Sequence, residues 1–325
     1  MVLDAEAFAA IYGPEFLADL SARANLLAPP LTAAQLADHA AALREAEVIF
    51  SGWGAPLMDA SFLARAPRLR AVFYGAGTIR YFTTGAFWAR GIAISSAYAA
   101  NAIPTAEFAL ASILLSLKHG WRYALAIKRR AGPVPVEWMP GAYGSKVGLL
   151  SLGTVGRLVL QRLRAFDLEL LAYDPFVSPE RAAQLGVRLV SLTELFRQCD
   201  AVSVHTPLLP ETTGLIGAEH FKLMKSGATF LNTARGEIVR EQELIEVFAE
   251  RPDLTAVLDV TATEPPAAGS PLYTLPNIIL TPHIAGSRSN ECRRMGRAML
   301  EEYDRWVRGE PLSWAVTPEL LYQLA

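Results

Sequence analysis

The stretch that most constrains the fold is 147–156, which reads VGLLSLGTVG. A run of β-type residues enters a turn of small residues, and a helix-like segment, RLVLQRLRAF, follows from Arg157. A strand, a glycine turn and a helix in this order present backbone N–H groups to the pyrophosphate of a dinucleotide. The full pattern is G-x-G-x-x-G, whereas this chain has Ser151, Gly153 and Gly156 at the three fixed positions. The fingerprint is incomplete, so the rest of the chain has to support it.

A second strand is predicted at 168–173 (LELLAY), and it ends in Asp174. This acid lies roughly 20 residues past the glycines, where a ribose-binding carboxylate is expected. Ser151 has to accept the tight turn, at a cost of about 1 kcal/mol or more if its φ is positive. Its hydroxyl group could offset that cost near the phosphates, so Ser151 is either a tolerated defect or a cofactor ligand.

Length and composition limit the class of protein. The chain has 325 residues, 52% of them hydrophobic and 19% charged, which is enough for two domains with buried cores. A net charge of −2 gives no general attraction to nucleic acid. Cys199 and Cys292 form neither a disulfide framework nor a metal-binding spacing, and a reducing cytoplasm fits them. The N-terminus lacks a basic region, so we expect no secretory signal, and the longest apolar run, 108–117, is too short to span a bilayer.

Strand-like and helix-like segments alternate along the chain, which predicts α/β architecture with parallel sheets and ligands at the carboxyl ends of the strands. In the first part we expect strands at 47–51, 70–74 and 92–96, a possible strand at 24–27, and helices at 5–22 and 32–45. Residues 1–3 barely supply a first strand, so either the sheet lacks that strand or the true start lies upstream. A long helix is expected over 104–129, six strands over 147–280 and a closing helix over 289–309.

Three of the late strands each lead to a chemically capable residue. Arg235 follows the strand at 229–232, Glu264 follows 255–260, and His283 follows 277–280. The reduction of a 2-keto acid requires these three residue types around a nicotinamide. An arginine fork pairs with the carboxylate and polarises the keto oxygen. A histidine donates the proton, and a glutamate orients the imidazole and favours its charged form.

Several motifs now stand in a characteristic order: VGLLSLGTVG, AYDP, VSVHTPLLPETTGLI, FLNTARGEIV, LDVTATEPP and LTPHIAG. Together with 75–77 and NAIPTAE at 101–107, they make the chain resemble the D-isomer-specific 2-hydroxyacid dehydrogenase family over nearly its whole length. The resemblance implies two Rossmann-like domains, a flavodoxin-like substrate domain and a doubly wound parallel-sheet NAD domain. We expect the substrate domain at 1–103 and 300–325 and the NAD domain at 104–299.

The resemblance also implies site residues. Arg235 would bind substrate, and Glu264 would pair with the catalytic His283. Asp174 would bind the ribose and favour NAD over NADP, because it repels a 2′-phosphate. Asp259 would lie near the nicotinamide amide. The remaining cofactor contacts are expected from Ser151, Gly153, Thr154, Val155, Gly156, His205, Thr206, Pro207, Thr233 and Ala234. The substrate carboxylate would bind the amides of Gly75, Ala76 and Gly77.

Three departures from the family pattern bear on the substrate and the cofactor. Ser151 replaces the first glycine, Thr154 stands where many relatives have arginine, and Ile79-Arg80 stands where many relatives have Asp-Asn. Arg80 either binds a distal anion of the substrate or pairs with an acid. The aromatic residues Trp53, Tyr74 and Trp138 are either packing residues or substrate contacts.

The sequence therefore predicts an NAD-dependent oxidoreductase that interconverts a 2-keto acid and a D-2-hydroxy acid, with no bound metal, no nucleic-acid partner and no membrane association. Reduction needs protonated His283 and oxidation needs the neutral ring, so reduction should fall and oxidation should rise with pH. Two alternatives stay open: an NAD(H)-binding sensor or corepressor with little turnover, and a formate or phosphite dehydrogenase of the same family. The resemblance also implies a homodimer formed through 104–144 of the NAD domain.

Overall fold

The computed structural model describes residues 1–321. Its contacts divide the chain into two compact units. Of the described residues, the first unit comprises Met1–Ala102 and 287–321, and the second comprises Ile103–Gly286.

The strands are β1 (Val48–Ser51), β2 (Ala71–Tyr74), β3 (Ala93–Ser96), β4 (Lys146–Leu150), β5 (Glu169–Tyr173), β6 (Arg188–Leu189), β7 (Ala201–Val204), β8 (Thr229–Asn232), β9 (Thr255–Leu258) and β10 (Ile278–Leu280). The helices are α1 (Ala5–Ala7), α2 (Gly13–Ser21), α3 (Ala40–Glu45), α4 (Ala60–Arg65), α5 (Gly85–Ala89), α6 (Tyr98–Leu117), α7 (Gly120–Arg130), α8 (Thr154–Leu163), α9 (Pro179–Gln184), α10 (Leu192–Gln198), α11 (Ala218–Phe221), α12 (Glu241–Glu250), α13 (Cys292–Val307) and α14 (Pro318–Leu321).

The first unit is built on a parallel sheet with the strand order β1-β2-β3. Its strands are short runs of apolar and small residues, and β2 is buried along its whole length. The start of the chain lies at the edge of this sheet. Val2 forms isolated parallel bridges with Ser51 and Leu31, so 1–3 supplies a single bridging residue in place of a full first strand.

The second unit is built on a seven-stranded parallel sheet in the order β10-β9-β8-β7-β4-β5-β6. Strands β4, β7, β8 and β9 are almost entirely buried, as expected for a parallel sheet covered by helices on both faces. This is the expected doubly wound α/β architecture, with one more strand than the six predicted. The order places β10, β9 and β8 side by side, so the segments that follow them leave the sheet along one edge.

Three predicted elements of the first part differ from the structure. The segment 24–27 is not a strand, because the backbone partner of the chain start is Leu31: Leu3 N–H donates to Leu31 O at 2.9 Å, and Leu31 N–H donates to Met1 O at 3.1 Å. The segment 32–45 is not one helix. A 3₁₀ turn, Ala33–Ala37, precedes α3. The helix expected over 5–22 is interrupted, because Phe8–Tyr12 has π-helical bonding between α1 and α2 and Gly13 leaves the helical backbone with φ 71°.

The helix expected over 104–129 is also wrong in its bounds. Helix α6 begins at Tyr98, so Pro104 lies inside it, and α6 and α7 are separated by a break at His119. His119 has a left-handed backbone (φ 49°), and its buried ring lies 3.0 Å from Gly227 O through Nε2. Among residues 1–321, α6 is the one helix long and apolar enough to cross a bilayer, and more than half of its apolar window is buried inside the protein, as in a core helix.

The closing helix places the domain boundary elsewhere than expected. The predicted boundary at 299/300 falls inside α13, whereas the whole of α13 belongs to the first unit. Met295, Met299 and Tyr303 of α13 are buried in the same apolar cluster as Phe50 and Phe73 of β1 and β2. This packing ties the helix to the first sheet from its first turn. The predicted assignment of 322–325 lies outside the described residues.

Candidate active site

His283 and Glu264 form a hydrogen-bonded pair in the second unit. His283 follows β10 and Glu264 follows β9, and Nδ1 of the ring donates to Glu264 Oε2 at 2.7 Å. Both side chains are half-exposed, at 46% and 40%. The carboxylate therefore fixes the orientation of the ring while the pair stays open to a ligand. His283 has a left-handed backbone (φ 52°), a conformation that costs energy in a non-glycine residue and is often found at functional sites.

The loop that carries His283 is held by Asp259, a buried residue at the end of β9. Asp259 Oδ1 accepts hydrogen bonds from Thr281 Oγ1 at 2.5 Å and from Ile284 N–H at 2.9 Å, and Oδ2 accepts from Ala285 N–H at 2.8 Å. His283 N–H also donates to the Asp259 carbonyl oxygen at 3.0 Å. Sequence reasoning placed Asp259 near the cofactor and missed that both of its carboxylate oxygens hold the loop that carries His283.

Arg235 follows β8, next to the strand that leads to Glu264. Burial lowers the pKa of Arg235, while the carboxylates of Glu237 and Glu264 act in the opposite direction. A guanidinium group that is removed from water is stabilised by an anionic partner. A Cβ built on Gly236 would lie 1.9 Å from the Thr261 carbonyl carbon. Only glycine at this position lets the turn after β8 approach the loop that carries Glu264 so closely.

The turn that contains Arg235 is clamped by Asn232, which sequence reasoning missed. Asn232 Nδ2 donates to Arg235 O at 2.9 Å, and Asn232 Oδ1 accepts from Ala234 N–H at 3.0 Å. Asparagine at the end of a strand and just before a turn is a typical signal for such a local clamp. The residue type at 232 could therefore have revealed it.

The residues of the glycine fingerprint form a tight strand-to-helix turn after β4. Ser151 has φ 78°, so the serine does adopt the left-handed backbone that the missing glycine would accept freely. A Cβ built on Gly156 would lie 2.1 Å from Ser151 O, which explains why 156 is glycine. Gly153 is the N-cap of α8, and no side chain caps this helix. The first N–H groups of α8, those of Thr154, Val155 and Gly156, therefore have no hydrogen-bond acceptor within the helix.

Asp174 follows β5 and reaches this turn. Its Oδ2 accepts from Leu152 N–H at 2.7 Å and lies 3.4 Å from Ser151 Oγ, and its Oδ1 accepts from Phe176 N–H at 2.9 Å. The hydroxyl group of Ser151 thus faces Asp174. The carboxylate stands beside the fingerprint, and its ribose role stays a prediction.

His205, Thr206 and Pro207 follow β7, the central strand between β8 and β4. Burial lowers the pKa of His205 to about 3, so the ring is neutral. Its Nε2 lies 3.0 Å from Ser203 Oγ. Among the described residues, His205 Nδ1 and Thr233 Oγ1 are buried without a hydrogen-bond partner. These two unpaired polar atoms lie at the ends of adjacent strands. Together with the uncapped N-terminus of α8, they suit a dinucleotide, which has polar groups that can bond to them.

In the first unit, the loop after β2 carries Gly75, Ala76 and Gly77. Gly75 N–H donates to Ser51 O at 2.8 Å, so this amide is already used, in contrast to the prediction for all three. Ser96 Oγ donates to Ala76 O at 2.9 Å and to Gly77 O. The carbonyl group of Ala76 and the N–H group of Gly77 belong to one trans peptide and point in opposite directions. Because the carbonyl points toward Ser96, the N–H of Gly77 points away from it. Among residues 1–321, the amides of Ala76 and Gly77 have no backbone acceptor.

The buried Tyr12, from the π-helical turn, lies beneath this loop. Its hydroxyl group donates to Ser51 O at 2.6 Å, and a Cβ built on Gly75 would lie 2.6 Å from that hydroxyl oxygen. Burial raises the pKa of Tyr12. Sequence reasoning missed Tyr12, because no local pattern links 12 to 51 and 75.

The other residues of the first unit that were considered as substrate contacts are Arg80, Trp53 and Tyr74. The Arg80 guanidinium donates to the carbonyl oxygen of Leu321 in α14. Trp53 is 39% exposed, and Tyr74 is buried with its hydroxyl group against that of Tyr81. In the second unit, Trp138 is 76% exposed. Within the described part of the chain, no cluster of three or more histidine, cysteine or acidic side chains has the geometry of a metal site.

Known proteins resemble this chain in sequence and in fold. A sequence profile described as "D-isomer specific 2-hydroxyacid dehydrogenase, NAD binding domain" matches residues 119–285. D-3-phosphoglycerate dehydrogenase of Mycobacterium bovis is 36% identical over 270 residues, which are 83% of this chain and 51% of that enzyme. This chain thus spans about half the length of the curated relatives it matches.

Solved structures match over a larger share of their own length. The crystal structure of the TT0316 protein from Thermus thermophilus has a TM-score of 0.73 at 26% identity and covers 97% of this chain and 99% of that one. A D-isomer specific 2-hydroxyacid dehydrogenase from Xanthobacter autotrophicus, solved with NADPH and MES, has a TM-score of 0.69 at 25% identity and covers 86% and 87%.

Proposed function

This chain belongs to the D-isomer specific 2-hydroxyacid dehydrogenase family, and from that premise we propose that it interconverts a 2-keto acid and a D-2-hydroxy acid with NAD as cofactor. The observation that carries the proposal is the 2.7 Å hydrogen bond between His283 and Glu264. The pair follows two adjacent strands, and the next strand leads to Arg235, whose guanidinium interacts electrostatically with Glu264.

Each of the three side chains has a role in this reaction. Arg235 pairs with the substrate carboxylate and polarises the keto oxygen. In reduction, Nε2–H of protonated His283 donates its proton to the oxygen of the forming alkoxide, while Glu264 accepts from Nδ1 and stabilises the imidazolium. In oxidation, neutral His283 takes the hydroxyl proton back. Bound NADH supplies the hydride. The amides of Ala76 and Gly77 bind the substrate carboxylate.

The cofactor contacts are proposed from the groove described above. The N–H groups that begin α8 bind the pyrophosphate, and Asp174 accepts from the ribose hydroxyl groups. A carboxylate at this place repels a 2′-phosphate and so favours NAD over NADP. His205 and Thr233 offer their unpaired polar atoms to the cofactor.

We also propose that the protein is a cytoplasmic homodimer formed through 104–144. The support is a set of large apolar side chains that this segment leaves exposed: Leu125, Ile127, Val136, Trp138 and Tyr143. Apolar patches of this kind commonly mark protein interfaces. Both cysteines are free and buried, which fits a reducing compartment.

The catalytic proposal is tested by replacing His283 with alanine. We expect kcat for keto-acid reduction to fall by roughly 10²- to 10⁴-fold, the usual contribution of a general acid. NADH affinity, measured by fluorescence titration, should stay unchanged, because the ring is assigned to the substrate. His39→Ala, a histidine outside the site, serves as the control and should keep normal turnover. Near-normal turnover of His283→Ala would remove this residue from the mechanism, and NADH binding without turnover of any keto acid in the wild type would favour a sensor.

A further inference from the structure

The loops that follow β1 and β2 form one joined surface at the carboxyl edge of the first sheet. Gly75 N–H donates to Ser51 O at 2.8 Å at the base of the two loops. Further out, Met58 N–H donates to Phe82 O at 2.8 Å, so the segments 52–58 and 75–83 are bonded to each other. The amides proposed to bind the substrate carboxylate belong to the second segment. The rest of this surface therefore borders the remainder of the substrate.

Three large apolar side chains of these loops are exposed: Trp53 at 39%, Leu57 at 54% and Tyr81 at 50%. Tyr81 is held in place, because its ring packs on Phe82 with a centroid separation of 5.3 Å and its hydroxyl group contacts that of buried Tyr74. A ring that is already ordered loses little conformational entropy when a ligand packs on it. The surface is thus preformed for an apolar, flat group.

The charges around this surface are unsuited to a phosphate group. The segments 52–58 and 75–83 contain a single basic residue, Arg80, and its guanidinium donates to Leu321 O. The acid beside the surface is Asp4, whose N–H donates to Trp53 O at 2.9 Å. Burial, with a smaller contribution from the charge of Asp4, raises the pKa of Tyr81. A Cβ built on Gly54 would lie 2.2 Å from the carboxylate carbon of Asp4, so this carboxylate lies against the first segment and repels an anion there.

From this surface we infer the substrate class: a 2-keto acid with an uncharged aromatic side chain, which packs on Trp53 and Tyr81. Keto acids that carry a phosphate group are rejected. The inference rests on the proposed dehydrogenase activity, and it separates this chain from the D-3-phosphoglycerate dehydrogenases to which it is similar.

The test measures NADH oxidation with phenylpyruvate, pyruvate, hydroxypyruvate and 3-phosphohydroxypyruvate. We expect kcat/KM for phenylpyruvate to exceed that for pyruvate by about 10- to 100-fold, the effect of burying an aromatic ring in place of a methyl group. 3-Phosphohydroxypyruvate should be the poorest of the four. A higher kcat/KM for any of the other three keto acids than for phenylpyruvate overturns the substrate class and leaves the proposed reaction standing. Turnover of none of the four overturns both.

Two variants separate recognition from loss of folding. Trp53→Ala should lower kcat/KM for phenylpyruvate about 10-fold and leave that for pyruvate nearly unchanged. Equal losses on both substrates contradict the assignment.

Leu57→Arg adds a cation to the surface and should raise kcat/KM for 3-phosphohydroxypyruvate about 10-fold. Leu27→Arg, at a similarly exposed leucine outside the two loops, is the matched control and should give no gain. No gain with Leu57→Arg also contradicts the assignment.

Discussion

His205 should make the stability of this protein depend on pH. Burial lowers its pKa from the ordinary 6.5 to about 3 in the folded state. Above pH 6.5 the ring is neutral in both the folded and the unfolded chain, so it has no effect on the pH dependence. Between these two values only the unfolded chain binds the proton, so the free energy of unfolding falls as the pH falls. Between pH 7 and pH 5, this single group should cost about 2 kcal/mol of stability.

The assay is urea unfolding of wild type and His205→Asn at pH 7 and pH 5. Asparagine keeps a polar group near Ser203 but does not bind a proton in this range. Any constant loss of stability in the variant cancels when each protein is compared with itself at the two pH values, as do the contributions of the other histidines. The wild type should lose about 2 kcal/mol more than the variant on acidification. An equal loss in both proteins would show that His205 is not held neutral by burial, and the reasoning would be refuted.

Three further outcomes are expected. Asp174→Ala should weaken the preference for NADH over NADPH, measured as the ratio of the two kcat/KM values, and an unchanged ratio would refute the ribose role. Ser151→Gly removes the strain of a left-handed serine, about 1–2 kcal/mol. Because φ is already 78°, the gain should appear as a higher free energy of unfolding, with NADH bound at least as tightly in a titration. Weaker binding would instead identify the serine as a ligand. Tyr12→Phe removes the hydrogen bond to Ser51 O, so KM for the keto acid should rise while kcat changes little. A fall in kcat at constant KM would contradict a role in holding the substrate loop.

Local patterns predicted the second unit well, because a parallel sheet leaves strong marks in the sequence. Buried strands appear as short apolar runs, and each ends in a turn residue or a functional group. Of the seven strands, only the two-residue β6 was weakly marked in the sequence. The first unit was predicted less well. The start of the chain forms backbone hydrogen bonds with Leu31, which is distant in the sequence. No local sequence pattern identifies this residue as the partner.

The site shows the same division. The residue types and spacing identified Arg235, Glu264 and His283 as candidates, and the strand order then brought their loops to one edge. The supporting contacts could not be predicted, since each joins residues far apart in the chain. Asp259 accepts hydrogen bonds from the segment 281–285, Ser96 donates to the carbonyl groups of 76–77, and Tyr12 donates to Ser51 O. Arg80 illustrates the limit: the sequence offered an anion or an acid as its partner, and the fold adds a hydrogen bond to the carbonyl oxygen of Leu321, which no local pattern predicts.

The sequence by itself determined the family, the alternation of strands and helices, and the chemistry available at the strand ends, because these depend on residue type and short spacing. Only the tertiary structure decided which groups are buried, which are paired and which remain open. Ser151 combines both contributions. The sequence shows a serine where glycine is usual, and the fold shows that it adopts φ 78° and faces Asp174. Backbone geometry at one turn and burial across a sheet are set by contacts between distant segments, and no local pattern encodes them.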